Sequence, residues 1–175
     1  MEAGRAETND DLSWLERACL GQDLPPAAEY CLQKAAKAYG TPDEAERLLH
    51  QALSLAPQHA AVYIAFYRFH FYRGRLKEAL PYAELCLSLA AQEMGLERDW
   101  RQVAPGGADF GGFAAYGPRF FLFSLKAYGY LHMRLGNLEE GRRAVEKVIE
   151  LDPRDQVGAS VLLGVLERGG RDDDD

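Results

Sequence analysis

The sequence predicts an all-α fold: a right-handed α-solenoid of helix-turn-helix repeats, with an N-terminal helix and a C-terminal capping helix. Three observations carry this. Residues recur 34 positions apart, Gly40 with Gly74, Ala45 with Ala79, Ala52 with Cys86, Leu53 with Leu87 and Leu55 with Leu89. A third copy falls into register when Gly136 is set over Gly74, so that Leu138 meets Leu76, Gly141 meets Ala79, Val148 meets Cys86, Ile149 meets Leu87 and Leu151 meets Leu89. Each copy also divides at a glycine into two stretches, and the second of them carries its apolar residues at helical spacing. A period of this length belongs to stacked two-helix units, none of which can bury its apolar face alone.

The repeats span about 26–59, 60–93 and 122–155, with an insertion at 94–121. Residues 1–8 are small and polar and read as disordered; 9–168 read as a single domain, and 169–175 as an acidic tail. At 175 residues and 47% apolar content the chain can bury a continuous core. A net charge of −7 argues against nucleic acid or an anionic membrane as partner. Cys19, Cys31 and Cys86 form no CxxC pair and are odd in number, which points to reduced thiols. The opening MEAGRAETNDD has no apolar h-region and no stretch is apolar enough for a membrane span, so the expected location is cytoplasmic.

Taken in order, Asp10 or Asp11 can cap a first helix carrying Leu12, Trp14, Leu15, Ala18 and Cys19. It either packs on the first repeat or serves as a dimerisation arm. Pro25-Pro26 opens the next helix, which runs to Tyr39, and Gly40 is expected to take a left-handed turn. Thr41-Pro42-Asp43-Glu44 then starts the second helix with a cap, a first-turn proline and early acids; Pro57 stops it. The run AVYIAFYRFHFY has strand-like composition, but repeat register makes it a helix from about Ala60 to Arg73. Its partner starts near Leu76, with Pro81 as a slight kink. Ala91 stands where Pro57 and Pro153 close the other copies, so this helix is expected to continue past Met94, with Leu96, Trp100 and Val103 as an apolar stripe.

Ala104 to Pro118 carries five glycines and two prolines around Phe110, Phe113 and Tyr116. Glycine at this density opposes regular structure, while the aromatics oppose a solvated linker. It reads as either an insertion packed over the surface or a lid or partner-binding loop. After the third copy, Val161, Leu162, Val165 and Leu166 predict a capping helix from about Gln156 to Glu167, within 156–168.

These units resemble tetratricopeptide repeats. The third is the nearest match, LKAYGYLHMRLGNLEEGRRAVEKVIELDP, with small Gly129 where its two helices touch, Tyr128 before it, Gly136 at the turn and Pro153 at the end. The first copy has Gln33 and the second Tyr67 at the small-residue slot. The resemblance implies that the first helix of each unit lines a concave groove. Carried across, the inner row is Ala27, Tyr30, Cys31, Lys34, Lys37 and Ala38; then Ala61, Ile64, Ala65, Arg68, Phe71 and Tyr72; then Phe123, Lys126, Ala127, Tyr130, Met133 and Arg134. That row holds five cations, several aromatics and no acid, whereas the second helices hold most of the acids. The family's carboxylate clamp is broken here by Tyr30 and Ala65.

No enzyme is expected, and no catalytic residue, metal ligand or cofactor. GGADFGG lacks the GK[ST] of a phosphate loop, and Asp109-Phe110-Gly111 spells a kinase tripeptide without the other kinase motifs. His50, His59, His70 and His132 lack zinc spacing and read as core or boundary residues. The expectation is a non-enzymatic protein-binding module, an adaptor or chaperone that takes an acidic or extended peptide segment of another protein on Tyr30, Lys34, Lys37, Ile64, Arg68, Phe71, Tyr72, Lys126, Tyr130, Met133 and Arg134. The alternatives are a homo-oligomeric scaffold, in the simplest case a homodimer, and an accessory subunit of an enzyme assembly acting through the 104–118 loop.

Overall fold

The computed structural model describes residues 23–112 and 115–168. The expected N-terminal helix with Trp14 and Leu15, loop residue Phe113 and the acidic tail lie outside them. The described residues form seven α-helices and two short 3-10 turns, with no strand. The chain divides into two compact units, one ending at Arg73 and one beginning at Gly74.

In the first unit, α1 (Pro26–Lys37) buries Ala28, Cys31, Leu32 and Ala35, and α2 (Pro42–Leu55) buries Ala45, Leu48, Leu49 and Ala52. Both sets follow the i, i+3, i+4, i+7 spacing of one helical face, and the two faces close on each other as a hairpin. Both helices begin on a proline, as the sequence predicts. Two details of the turn differ from expectation. Gly40 does not take a positive φ, and Thr41 makes no side-chain cap; instead the Thr41 N–H donates to the Ala38 carbonyl at 2.8 Å. The tight turn leaves no need for a left-handed residue.

The helix α3 (Ala60–Tyr72) is capped by His59, whose Nδ1 accepts the Ala61 N–H at 3.1 Å. The strand-like run is helical because it is apolar all round and buried, the pattern of an interior helix. It packs on α2, with the His50 ring set edge-on to Phe66 at 5.0 Å. Its end is tied to the end of α1 by Arg73, which donates to the Tyr39 carbonyl at 2.7 Å while its guanidinium lies 4.5 Å from the Tyr39 ring and 4.2 Å from that of Phe69. Tyr39 and Arg73 are 34 residues apart, the same position in successive repeats.

The second unit starts at Gly74, whose φ of 72° supplies a left-handed turn; Gly136, at φ 91°, does the same in the third copy. The helix α4 (Leu76–Met94) carries Pro81 and is longer than α2, as the missing stop proline predicts. It does not continue past Met94. Gly95 adopts a left-handed φ of 65°, its N–H donates to Gln92 O, and the Leu96 N–H reaches back to Ala91 O, so the carbonyls of the last turn are satisfied by a glycine-centred C-cap. Trp100 and Val103 are buried as expected, but from a 3-10 turn (Trp100–Gln102) and the residue that ends it.

The helix α5 (Tyr116–Arg134) begins six residues before the expected start of the third copy at Leu122. Tyr116, Gly117 and Pro118, assigned to the loop from sequence, are its first turn, where the missing proline N–H costs nothing. It packs on α4 and on α6 (Leu138–Leu151). The α5–α6 contact centres on Gly129 and Gly141: a Cβ on Gly129 would lie 3.1 Å from Ala144 Cβ and 3.3 Å from the Gly141 carbonyl. This is the close approach predicted for Gly129.

The closing helix α7 (Val161–Glu167) is shorter than expected. Residues 156–160 are held in a loop by two aspartates. The buried Asp152 carboxylate accepts the Val157 N–H at 2.9 Å, and Asp155, at φ 55°, accepts from the Ser160 N–H and hydroxyl. Carboxylates that take backbone N–H groups compete with the helix for the same donors. Once formed, α7 buries Leu162, Val165 and Leu166 against Met133 and Val145.

Candidate functional site

The expected inner row separates into three environments. On α1, Tyr30, Lys34 and Lys37 share one face at i, i+4 and i+7, and all three are exposed. Tyr30 is 59% exposed, and the Lys34 ammonium lies 5.1 Å from its ring centroid. Tyr30 is thus a large aromatic left open beside a cation, as Tyr39 is beside Arg73.

On α3 the row is more enclosed. Ile64 is 3% exposed and belongs to the interior, because this helix is apolar on every side. Arg68 is half-buried with its guanidinium 5.9 Å from the Tyr72 ring, and half-buried Phe71 stacks on Tyr67 at 5.4 Å.

On α5 the row is mostly occupied in holding the second unit together. Met133 is 1% exposed and sits in the cluster formed with Val145, Leu162, Val165 and Leu166, so the capping helix removes it from any open face. Lys126 donates to the Val157 carbonyl at 2.7 Å and so pins the loop that leads into α7. Tyr130 is half-buried against the same cluster, and its hydroxyl accepts from Arg134 at 2.9 Å. Arg134 is exposed. Buried Phe123 has Arg119 5.7 Å from its ring on the one hand and Lys126 at 5.9 Å on the other. Arg119 is an addition that the sequence reading missed, because the helix was begun at Leu122. Its signal was present: it stands four residues before Phe123, one turn along the same face.

The two described aromatics of 104–118 pack against rings of α5. Phe110 is buried with its ring 5.9 Å from Phe121, and half-buried Tyr116 stacks on Phe120 at 5.4 Å. Of the two expectations for 104–118, packing is what these two residues display. A cavity of about 410 Å³ lies beside the loop, bordered by Asp109, Gly111, Gly112, Asp152, Pro153, Arg154 and Gln156.

A polar network that the sequence did not suggest joins the 94–103 segment to α5 and α6. Glu140 accepts from the Tyr128 hydroxyl at 2.7 Å and from Arg101, which also bonds Asp99 and lies 4.4 Å over the Trp100 ring. Tyr128 sets its ring edge-on to Trp100 at 5.9 Å and to His132 at 4.4 Å. Burial, reinforced by the Glu140 hydrogen bond and charge, pushes the Tyr128 phenol up to about 12. Burial also pushes Glu140 upward, but the hydrogen bonds from Tyr128 and Arg101 and the Arg101 charge together hold it below the usual carboxylate range.

His132 is held below its ordinary value, because burial outweighs the attraction of Glu140 and Glu84. Its unfolded form therefore binds a proton first as pH falls. The stability that depends on the neutral ring is present above about 6.5, the unfolded value, and is lost as pH drops towards the lower folded value. Thermal melts of the wild-type chain are expected to show Tm falling across that window. A His132→Gln variant should flatten this part of the profile, and an equally steep fall in the variant would show that the sensitivity comes from another group.

Among the described residues no group of three or more His, Cys, Asp or Glu side chains is placed to hold a metal ion. No described helix is long and apolar enough to cross a membrane.

The tetratricopeptide-repeat family profile matches residues 127–155, which cover the C-terminal part of α5, the Gly136 turn and α6. A protein of Azotobacter chroococcum mcd 1, described as an uncharacterised 19.8 kDa protein in the nifW 5′ region, is 35% identical over 158 residues, covering 89% of this chain and 88% of its own length. This chain is a tetratricopeptide-repeat protein and belongs to the same family as that Azotobacter protein. No solved structure matches it.

Proposed function

We propose that this chain is an adaptor or chaperone that binds an acidic, extended segment of a partner protein, with the Tyr30–Lys34–Lys37 face of α1 as a principal contact. Tetratricopeptide repeats are in general protein-protein interaction modules, and that class sets the frame. The observation that carries the finer reading is the open α1 face. An exposed ring with the Lys34 ammonium 5.1 Å from its centroid, and exposed Lys37 further along the same face, offers apolar contact area and carboxylate-binding donors within two helical turns. The acidic body around it, at net charge −7, disfavours polyanions as large as nucleic acid while leaving room for a short acidic peptide. The setting proposed is cytoplasmic. The nifW 5′ description belongs to the Azotobacter relative; for this chain it suggests that proteins encoded by neighbouring genes are the first partners to assay.

The test uses a fluorescein-labelled peptide alternating Asp or Glu with Leu or Tyr, followed by anisotropy. Substituting Lys34→Glu and Lys37→Glu together is expected to weaken binding about tenfold or more and to reduce its dependence on salt. Both side chains are exposed, so circular dichroism should be unchanged. Equal affinity in the wild-type and doubly substituted chains would remove α1 as the contact. Loss of a sedimenting dimer in the same variant would favour the homo-oligomeric scaffold instead.

A further inference from the structure

The cavity of about 410 Å³ in the second unit is bordered by no residue of α1, α3 or α5. Part of its border is Asp109, Gly111 and Gly112, from the loop before α5; the rest is Asp152, Pro153, Arg154 and Gln156, from the turn that closes α6. Both segments are anchored in the core next to the cavity. Phe110 is buried with its ring on Phe121, and Val157 is buried directly after Gln156. The Asp109 carboxylate is held to its own loop, where Oδ1 accepts the Gly112 N–H at 3.0 Å. Asp152 is the unusual member. It is 3% exposed, yet its carboxylate accepts one hydrogen bond, at Oδ2 from the Val157 N–H, and among the described residues nothing donates to Oδ1. A carboxylate so deeply buried ordinarily takes donors on both oxygens. Gln156 repeats the pattern, since its Oε1 is buried and accepts from no described group. Arg154 is exposed, and among the described residues no ion pair joins it to either carboxylate on the same border.

We infer that this cavity binds a free basic α-amino acid, with its α-ammonium on Asp152, its side-chain cation on Asp109 and its α-carboxylate on Arg154. The charges decide the ligand class. Two carboxylates and one guanidinium leave the border with one net negative charge. L-lysine or L-arginine, with two cationic groups and one carboxylate, carries one net positive charge at neutral pH. A simple amine would leave Arg154 without an anion, and a neutral amino acid would leave Asp109 without a cation. The α-ammonium supplies the donors that the Asp152 Oδ1 lacks, and each of the three contacts is a charge-assisted hydrogen bond. Gly111 and Gly112 bring no side chain into the space, and the Pro153 ring gives the ligand's methylenes an apolar edge. The volume fits as well, since small-molecule sites start at about 300 Å³. The site is independent of the α1 face and its peptide.

The experiment is calorimetric titration of the full chain with L-lysine and L-arginine, and with three compounds that each lack one group of L-lysine. N-acetyl-L-lysine lacks the α-ammonium, cadaverine the carboxylate and L-norleucine the side-chain ammonium. At least one of the two amino acids is expected to bind, and each of the three compounds to bind about tenfold or more weakly than L-lysine. Asp152→Asn keeps an oxygen for the Val157 N–H while removing the charge, and should weaken the amino acid by a similar factor. Arg154→Gln changes an exposed side chain and should do the same with the thermal melt unmoved, so the test stands even where Asp152→Asn fails to fold. Lys34→Glu with Lys37→Glu should leave this binding unchanged. No heat from either amino acid at millimolar concentration overturns the inference. So does equal affinity for N-acetyl-L-lysine, cadaverine or L-norleucine, or binding that Arg154→Gln does not alter.

Discussion

Replacing Gly141 with alanine is expected to destabilise the second unit by about 2–3 kcal/mol. A Cβ at this position would fall inside the van der Waals contact of Met133 Cγ, 2.9 Å from the Gly129 carbonyl and 3.1 Å from the Met133 backbone nitrogen. Two of these neighbours are backbone atoms of α5, so relief requires the helices to move apart rather than one side chain to turn. The better helix propensity of alanine, about 1 kcal/mol, acts in the opposite direction and is too small to compensate. Gly129→Ala meets softer contacts, two of the three being side-chain atoms at 3.1 and 3.2 Å, and should cost less. Gly40→Ala, with nothing within 4 Å and no positive φ, should be neutral or slightly stabilising. Urea titrations give the ranking through the midpoint at constant slope. A Gly141→Ala chain as stable as wild type would mean that α5 and α6 do not approach as closely as described.

Truncating Trp100 to alanine is expected to cost about 3–5 kcal/mol, the range for removing a large buried aromatic. Trp100 is 7% exposed, meets Tyr128 edge-on and lies under the Arg101 guanidinium. Its loss removes the apolar anchor of the segment between α4 and α5 and admits water to Tyr128. The phenol, held at about 12 chiefly by burial, should then titrate closer to its ordinary value of 10.0. Difference absorbance against a Tyr128→Phe chain isolates that titration from the other tyrosines. Trp100→Phe keeps part of the ring contact and should lose less stability. A small stability change with an unmoved Tyr128 titration would show that the 94–103 segment is not anchored through Trp100.

Both experiments concern places where the sequence was readable to different depths. Gly129 was identified through the resemblance to tetratricopeptide repeats, which place a small residue where the two helices of a unit touch. Gly141 aligned with Ala79 and gave no sign of being the tighter of the two. Trp100 and Val103 were expected to be buried, but as part of a continued helix. Gly95 ends that helix, and local sequence alone did not distinguish a glycine that bends a helix from one that caps it. The Glu140 network was not legible at all, since Arg101 and Tyr128 lie 39 and 12 residues from Glu140 and meet it only after the chain has folded back.

The sequence by itself determined the all-α class, the seven described helices to within a turn at most ends and the positions of the turns at Gly74 and Gly136, and the family resemblance added the contact at Gly129; the left-handed conformation, expected at Gly40, is taken at Gly74 and Gly136 instead. The class, helices and turns follow from periodicity and backbone chemistry, which are local and repeat with the unit. Only the tertiary structure decided which members of the basic, aromatic row stay open. The family resemblance assigns Tyr30, Ile64 and Met133 to one kind of face, but burial depends on what is packed across that face. Ile64 lies on a helix that is apolar on every side, the Asp152 and Asp155 loop delivers α7 onto Met133, and Tyr30 with Lys34 and Lys37 stays in solvent.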